Sequence, residues 1–343
     1  MIDKDLKKKL DSKKFRRKLL SKHKRKLRRS GIFSRRIAPY TEKIGKEIEA
    51  PINFSFQKNM DEVLGFISRL ERMLNEKKSV FVNLQNVASI DIEAIVLLLG
   101  IMAEFHSSSV DFNGNFPINP YVKNKLDSSG FLQKLYGNDS TYTFGSNRGI
   151  FTHGKNVLDQ VLTSEIISDS LEAVFDQRRR SMGAQRILVE AMKNTLQHAS
   201  NDTTKRHWWL SVRKEKKDKK VIFSFVDYGV GIFKSLQTKS QNDPGYNRFS
   251  KLFNLGVKNR TILSGIMDGS LQAVSRTRQS KHGTGLPGMK TALDNNYISK
   301  FVILSNDVYA EVHKNEYRTV KPKFSGTLIQ FEIINSCKSF KIV

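Results

Sequence analysis

Residues 282–291 read HGTGLPGMKT, and this glycine-rich stretch fits more than one phosphate-binding pattern. Gly283, Gly285 and Gly288 spell G-x-G-x-x-G, the pattern of dinucleotide-binding folds and of kinase glycine loops. With Lys290 the same run matches a P-loop that has one residue too many. A glycine-rich lid over a nucleotide also fits, and it requires partner residues elsewhere in the chain.

The context of the stretch argues against all but the lid. A dinucleotide fold has several βαβ units after its glycines, whereas Gly283 is followed by 60 residues that predict one helix and a few short strands. A kinase loop needs a downstream H-R-D segment, and none follows. A P-loop needs Lys directly after its last glycine, and Met289 interrupts that spacing.

A helix predicted over residues 184–200, AQRILVEAMKNTLQHAS, carries the first set of partner residues. Glu190, Asn194 and His198 are four residues apart, so they share one face of the helix. A carboxylate and a carboxamide one turn apart can serve as a general base and as a Mg²⁺ ligand.

Two further segments complete the set. In VDYGVGI, Asp227 comes at the end of a predicted strand, where its carboxylate can accept a hydrogen bond from an adenine amino group. Gly229 and Gly231 follow and allow the backbone to pass close to a ligand. Gly326-Thr327 begins a C-terminal strand. The N–H groups of residues 285–288 would face phosphate at the start of a helix.

These four segments, in this order and at these spacings, resemble the GHKL ATPases: gyrase, MutL, Hsp-type chaperones, histidine kinases and anti-sigma-factor serine kinases. The resemblance spans residues 150–335 and implies a Bergerat-type α/β sandwich, in which helices cover one face of a mixed sheet. It implies ATP and Mg²⁺ as ligands, with Asn194 on the metal and Glu190 activating the attacking nucleophile. It also implies these ATP contacts: Asp227 at the adenine with Thr327 beside it, Gly229 and Gly231 in the pocket wall, and Gly283, Gly285 and Gly288 in the lid.

Residues near the lid and on the helix suggest further phosphate contacts and the branch of the family that the chain resembles most. Arg278 and Lys281 are the favoured candidates for a γ-phosphate contact, and the alternative is that they are solvated loop charges. The E-x-x-x-N-x-x-x-H pattern that ends at His198 is closest to the anti-sigma-factor serine kinases. A sensor histidine kinase is rejected because no histidine-bearing two-helix segment precedes the domain.

Strand and helix patterns alternate over residues 46–145, which predicts an α/β domain before the ATPase-like domain of residues 150–343. Its apolar run at 94–103, AIVLLLGIMA, predicts a buried helix. In the following domain a hairpin is predicted, in which the pair Trp208-Trp209 places one ring in the core and one on the surface.

The first of these domains resembles the STAS family, through the strand SVFVNLQNV, the helix start SIDIEAI and the later SSGFLQKL. The resemblance implies a module that binds a protein partner. In STAS members a phosphoacceptor Ser or Thr follows an Asp at that helix start. Here the sequence is Asp91-Ile92-Glu93-Ala94, without a hydroxyl, and Glu93 is near the acceptor's place. Phosphorylation of this unit is therefore not expected.

The charge of the chain is concentrated at one end. The net charge is +26, and residues 1–36 contain 17 Lys/Arg against 3 Asp, which is +14. Because apolar residues are sparse there, residues 1–45 predict a flexible or helical tail. Nucleic acid is the first candidate partner, an anionic membrane surface the second, and a solubilising role the alternative.

Composition also bears on location and assembly. Cys337 is the only cysteine, which excludes internal disulfides, and no apolar run approaches the roughly 18 residues of a membrane span. The N-terminus lacks the apolar core of a signal peptide, so a cytoplasmic protein is expected. The sequence leaves open whether the chain forms a homodimer.

Three functions remain open at this point. The first is an ATP-driven regulatory switch with slow hydrolysis through Glu190. The second is a protein serine/threonine kinase that acts on a separate partner. The third is a nucleotide-sensing scaffold that does not hydrolyse ATP.

Overall fold

The computed structural model describes residues 45–129, 150–155, 158, 160–198, 207–271 and 285–341. These residues belong to one compact unit, 45–343. The predicted tail up to residue 44 lies outside the described residues, as does the predicted domain boundary, so the division near residue 145 stays a prediction. In the described part, no helix combines the length and the apolar character needed to cross a membrane. Residues 45–129 are named the first module and residues 150–341 the second module below.

The first module alternates strands and helices. Strands β1, β3 and β5 form a parallel sheet in the order β1-β3-β5, and β2 pairs with β4, also in parallel. This alternation confirms the α/β class that the sequence predicts. The strands are β1 Lys46–Glu49, β2 Asn53–Phe54, β3 Val80–Asn83, β4 Ser89–Ile90 and β5 Phe112–Gly114, and the helices are α1 Met60–Asn75, α2 Ile92–Ser107 and α3 Pro120–Ser128.

Asp91 fixes the beginning of α2. Its carboxylate accepts a hydrogen bond from the N–H of Ala94 at 2.8 Å, which satisfies one of the free donors of the first helical turn. The same carboxylate accepts from the Ser55 hydroxyl at 2.6 Å and from the N–H of Gln57 at 3.0 Å. Asp91 therefore has a structural role as the N-cap, and it ties α2 to the segment after β2.

The second module is built on a five-stranded sheet in the order β10-β11-β9-β8-β6. All four strand pairs of this sheet are antiparallel, so the prediction of a mixed sheet is wrong. Short turns join β8 to β9 and β10 to β11, and such tight connections require antiparallel neighbours. The strands are β6 Ile150–Lys155, β8 His207–Glu215, β9 Lys220–Asp227, β10 Lys300–Glu311 and β11 Glu316–Ile334, beside a small ribbon of β7 Arg179–Arg180 and β12 Phe340–Lys341.

Helices of the second module cover one face of this sheet, packing on Trp208, Phe223, Phe225 and Phe331. Three of these helices lie between residues 232 and 267, for which the sequence analysis predicts no helix. The helices are α4 Gln160–Phe175, α5 Met182–His198, α6 Ile232–Asn242, α7 Asn247–Asn254, α8 Asn259–Met267 and α9 Gly285–Asp294, with 3₁₀ turns at Pro244–Tyr246 and Val312–Lys314.

The first module covers the other face of the sheet. Trp209, Val226, Leu304 and Leu328 belong to one apolar core with residues of α1 and α2. Within the second module the helices cover one face of the sheet, as expected, and the cover that the first module provides for the other face was not predicted. Trp208 and Trp209 are both buried, where one had been expected at the surface, because each of the two faces has its own cover. Every residue of α2 from 92 to 102 is buried, which confirms the predicted buried helix.

A polar contact crosses the boundary between the modules at Glu93, which is fully buried. Its Oε1 accepts hydrogen bonds from Gln330 Nε2 at 3.1 Å and from Gln57 Nε2 at 3.3 Å, and Arg213 Nη2 is 3.5 Å away. Burial raises the pKa of Glu93 to about 7; the charge of Asp91 adds to the rise and that of Arg213 opposes it.

This rise in pKa makes the stability of the fold depend on pH. Because the pKa of Glu93 is higher in the folded chain than in the unfolded chain, its contribution to the unfolding free energy is greatest below about pH 4.5. This contribution is lost as the pH rises through 7. We expect Glu93→Gln to reduce the fall in unfolding free energy between pH 5 and pH 8 by about 2 kcal/mol. Denaturant unfolding at both pH values measures this, with Glu316→Gln, at an exposed position, as the matched control. An unchanged pH dependence in Glu93→Gln would contradict the assignment.

Candidate functional site

Helix α5 presents Glu190 and Asn194 side by side. The opposite face of the helix is buried in the core through Ala184, Ile187, Leu188 and Ala191, so the half-buried pair points away from it. Glu190 Oε1 pairs with Lys193 Nζ at 3.1 Å, while Oε2 is directed to the beginning of α9. The amphipathic pattern of the sequence is therefore sufficient to orient these two side chains.

The first turn of α9 lies against this pair. A Cβ atom added to Gly285 would be 3.6 Å from Glu190 Oε2 and 3.8 Å from Asn194 Nδ2. The glycine-rich segment and the helix, about ninety residues apart in sequence, are thus neighbours in space, as the lid hypothesis requires. Helix N-termini carry unpaired N–H groups and a partial positive charge, so this position favours an anion.

Arg186 joins the same face and was missed in the sequence analysis. Gly288 lies one turn into α9, and any side chain there would overlap the guanidinium of Arg186. Arg186 precedes Glu190 by four residues, so Arg186, Glu190 and Asn194 form one row along α5. The signal was available, because the four-residue spacing that identified the pair extends one step toward the N-terminus.

Asp227 is the buried carboxylate of the site. It ends β9, is 7% exposed, and lies opposite Thr327 of β11 and Trp208 of β8 in the strand register. Its Oδ1 accepts the N–H of Gly229 at 2.8 Å. Burial raises the pKa of Asp227 to about 7, and the Gly229 N–H and the nearby Thr195 hydroxyl oppose the rise.

Thr195 is the second residue that the sequence analysis missed. It follows Asn194 on α5 and is buried; its hydroxyl donates to the Ala191 carbonyl at 3.1 Å and is near the Asp227 carboxylate, so α5 meets the end of β9 at this residue. A single threonine on a helix has no distinctive sequence signal, and only the packing of α5 on the sheet reveals this contact.

The segment before Thr327 is pressed onto Asp227. Gly326 has a φ of +133°, and a Cβ there would overlap the carbonyl oxygen of Asp227, so only glycine fits this approach. The Ser305 hydroxyl donates to the Gly326 carbonyl at 2.8 Å and lies 3.3 Å from the Thr327 hydroxyl. Thr327 and Asp227 are therefore held side by side, as the resemblance implied.

The loop after Asp227 is fixed by β10. The Asn306 amide donates from Nδ2 to the Val230 carbonyl at 3.0 Å, and its Oδ1 accepts the N–H of Phe233 at 3.1 Å. Gly231 has a φ of +77°, and a Cβ there would be 2.5 Å from the Asn306 amide. Glycine is therefore required at position 231 by the conformation of the loop. Asn306 is a further residue of the site that no sequence pattern indicated.

Several predicted site residues lie outside the described residues. Gly283, Arg278 and Lys281 belong to residues 272–284, and the side chain of His198 is likewise not described. Their roles stay predictions.

Metal-binding groups are sparse in the part of the chain that the structure describes. It contains no cluster of three or more His, Cys, Asp or Glu side chains that could hold a metal ion. A Mg²⁺ ion that enters with a nucleotide does not need such a cluster, because phosphate oxygens and waters supply most of its ligands. The side-chain oxygen of Asn194 and the carboxylate of Glu190 are hard oxygen donors that fit this requirement.

The comparisons with known proteins add no assignment. No protein-family model matches the chain, and no curated protein sequence matches it.

Two glycines with positive φ allow the loop geometry to be tested. We expect Gly231→Ala to lower the unfolding free energy by more than roughly 1–3 kcal/mol, because a φ of 77° with a ψ of 171° is almost confined to glycine and the added Cβ also displaces Asn306. Gly256→Ala is the matched control: its φ is +69°, but its added Cβ meets nothing within 4 Å. Chemical denaturation measures both, and equal losses would show that the Asn306 contact is unimportant.

Proposed function

We propose that the protein binds Mg-ATP and hydrolyses it slowly, as a regulatory switch of the GHKL type. The observation that carries the proposal is the meeting of α5 and α9, where a Cβ added to Gly285 would lie within van der Waals distance of Glu190 and Asn194. Asp227 lies beside the same helix, near Thr195. Three segments far apart in sequence thus converge in the way that a nucleotide site requires.

Asp227 would select the adenine base. A carboxylate that is almost fully buried discriminates strongly between ligands, because only a ligand with a hydrogen-bond donor compensates its loss of water. The adenine amino group is such a donor, whereas guanine presents a carbonyl oxygen at the equivalent ring position. The Thr327 hydroxyl beside Asp227 offers a second polar contact.

The start of α9 would receive the phosphates. The backbone N–H groups of Gly285, Leu286 and Gly288 are those of the first helical turn, where an anion is stabilised. Arg186, which packs on Gly288, adds a positive charge to the same position. When bound with ATP, Mg²⁺ supplies neutralisation of the phosphate charge, and Asn194 would hold it.

Glu190 would accept the proton of the attacking water. Its Oε2 faces Gly285 at the predicted phosphate position, which places a base beside the reacting group. Lys193 holds the other carboxylate oxygen and so fixes the orientation of the side chain. Lys193 is a positioning residue in this scheme, because it acts through Glu190.

Protein kinase activity toward a separate partner is the second candidate. It is favoured by the E-x-x-x-N-x-x-x-H row on α5, and transfer of labelled phosphate from ATP to a partner protein would distinguish it. Phosphorylation within the chain is disfavoured, because the place of the STAS acceptor is taken by Glu93, a buried carboxylate without a hydroxyl. Polyanion binding by residues 1–36 and a protein partner for the first module stay predictions.

The adenine contact is tested first by calorimetric titration of Mg-ATP into the protein. We expect saturable binding to the unaltered chain and a loss of at least about tenfold in affinity for Asp227→Asn, since one charge-assisted hydrogen bond is removed. Asp243→Asn, in a loop of the same module, is the control. Unaltered affinity in Asp227→Asn would contradict the assignment of the pocket.

The catalytic assignment is tested by phosphate release under saturating Mg-ATP. We expect Glu190→Gln to lower the rate at least about 100-fold while ATP still binds, because the general base is removed and the shape is kept. Glu165→Gln, on the exposed side of α4, should leave the rate unchanged. Turnover that survives in Glu190→Gln would exclude Glu190 as the base, and binding without turnover in the unaltered protein would favour a sensor.

A further inference from the structure

The residue after Asp227 leaves the second module and enters the first. The Tyr228 ring is buried in the core shared by both modules, and its hydroxyl donates to the Leu97 carbonyl of α2 at 2.5 Å. Because Tyr228 is covalently next to Asp227, α2 holds the backbone that carries the proposed adenine contact.

Gly100 provides the space for this ring. A Cβ added at Gly100 would overlap the edge of the Tyr228 ring. Glycine inside a helix is unfavourable relative to alanine. All the remaining residues of α2 from 92 to 102 have buried side chains. The glycine is therefore explained by its contact with Tyr228 and not by helix formation.

A second contact holds the opposite strand. Glu71 of α1 accepts hydrogen bonds from Ser325, from the N–H to Oε1 at 3.2 Å and from the hydroxyl to Oε2 at 3.2 Å. Ser325 is two residues before Thr327, which lies opposite Asp227. Phe324, next to Ser325 in the chain, meets the Tyr228 ring edge to face at 5.4 Å, so the two segments contact each other.

We infer that the first module positions the nucleotide pocket, with Tyr228 and Ser325 as the positioning residues through which α2 and α1 act on Asp227 and Thr327. The inference rests on the proposed function. It makes the first module a control element: whatever shifts α1 or α2 changes the affinity for ATP, and by linkage ATP changes the affinity for whatever binds the first module.

The decisive comparison uses two alanine substitutions in helices of the first module. Gly100→Ala pushes the Tyr228 ring out of place, whereas Gly65→Ala on α1 meets nothing within 4 Å. In calorimetric titrations with Mg-ATP and with Mg-GTP, we expect Gly100→Ala to weaken ATP binding about tenfold and to reduce the preference for ATP over GTP. Gly65→Ala should keep both values. A merely structural role would lower stability without changing this preference.

A milder variant protects the test against a failure to fold. Tyr228→Phe keeps the ring and removes only the hydroxyl bond to Leu97, and we expect about a fivefold loss of ATP affinity. If Tyr228→Phe, and Gly100→Ala where it folds, bind ATP with the affinity and preference of the unaltered chain, the first module is a passive cover and the inference is wrong.

Amide hydrogen exchange separates this inference from the proposed function. The Gly229 N–H donates a hydrogen bond to the Asp227 carboxylate, so its exchange reports on the position of the segment. We expect faster exchange in Gly100→Ala than in Gly65→Ala. If the unaltered protein fails to bind Mg-ATP, the proposed function is wrong; if the exchange rates of Gly229 are equal in the two variants, the positioning by α2 is wrong.

Discussion

The five-stranded sheet has apolar side chains on both faces, and the burial of both faces governs the rest of the molecule. Alternate residues of a strand point to opposite sides, so β8 sends Trp208 to the helices of the second module and Trp209 to the first module. A sheet of this kind requires a cover on each side. Helix α2 provides the second cover, and it is buried around its whole circumference because it also forms the core of its own module.

This arrangement determines the chemical character of the boundary between the modules. A mainly apolar contact would allow some sliding, but Glu93 has partners on both sides of it, Gln57 in its own module and Gln330 on β11. These hydrogen bonds to Oε1 offset part of the cost of burying the carboxylate, whose Oε2 is buried without a hydrogen bond, and they favour one register of α2 on the sheet. The proposed nucleotide segment begins at the end of the same sheet and shares that fixed geometry.

Local patterns were sufficient to predict much of the fold. The alternation of strand and helix in the first module, the buried α2 and the hairpin of β8 and β9 were all predicted, since each depends on periodicity within a short window. The cover on the second face was not, because an apolar position does not state which element will bury it. The three helices after residue 231 were missed because each is short. Two of them bury only a few residues, such as Phe233 and Phe249, whereas α8 buries five of its nine residues.

In the candidate site, too, some residues could be predicted from the sequence and others could not. Glu190, Asn194, Asp227 and Gly285 could be selected from spacing, and the structure brings Gly285 to the first two. The residues that hold the site together could not: Thr195 and Asn306 act through contacts between distant segments, and polar residues of these types are common on any helix or strand. Positions that touch a ligand leave patterns in a sequence, whereas positions that support them depend on the tertiary fold.

The shared core also has a consequence for how the chain is made. Helix α2 ends at Ser107, whereas β9, which carries Val226, ends only at Asp227, 120 residues later (227 − 107). At the usual speed of synthesis this delay is about 6–24 s. During that time the apolar side of α2 that will face Trp209 and Val226 has no partner from its own chain. The cover on this side of α2 is therefore completed only after β8 and β9 have been synthesised.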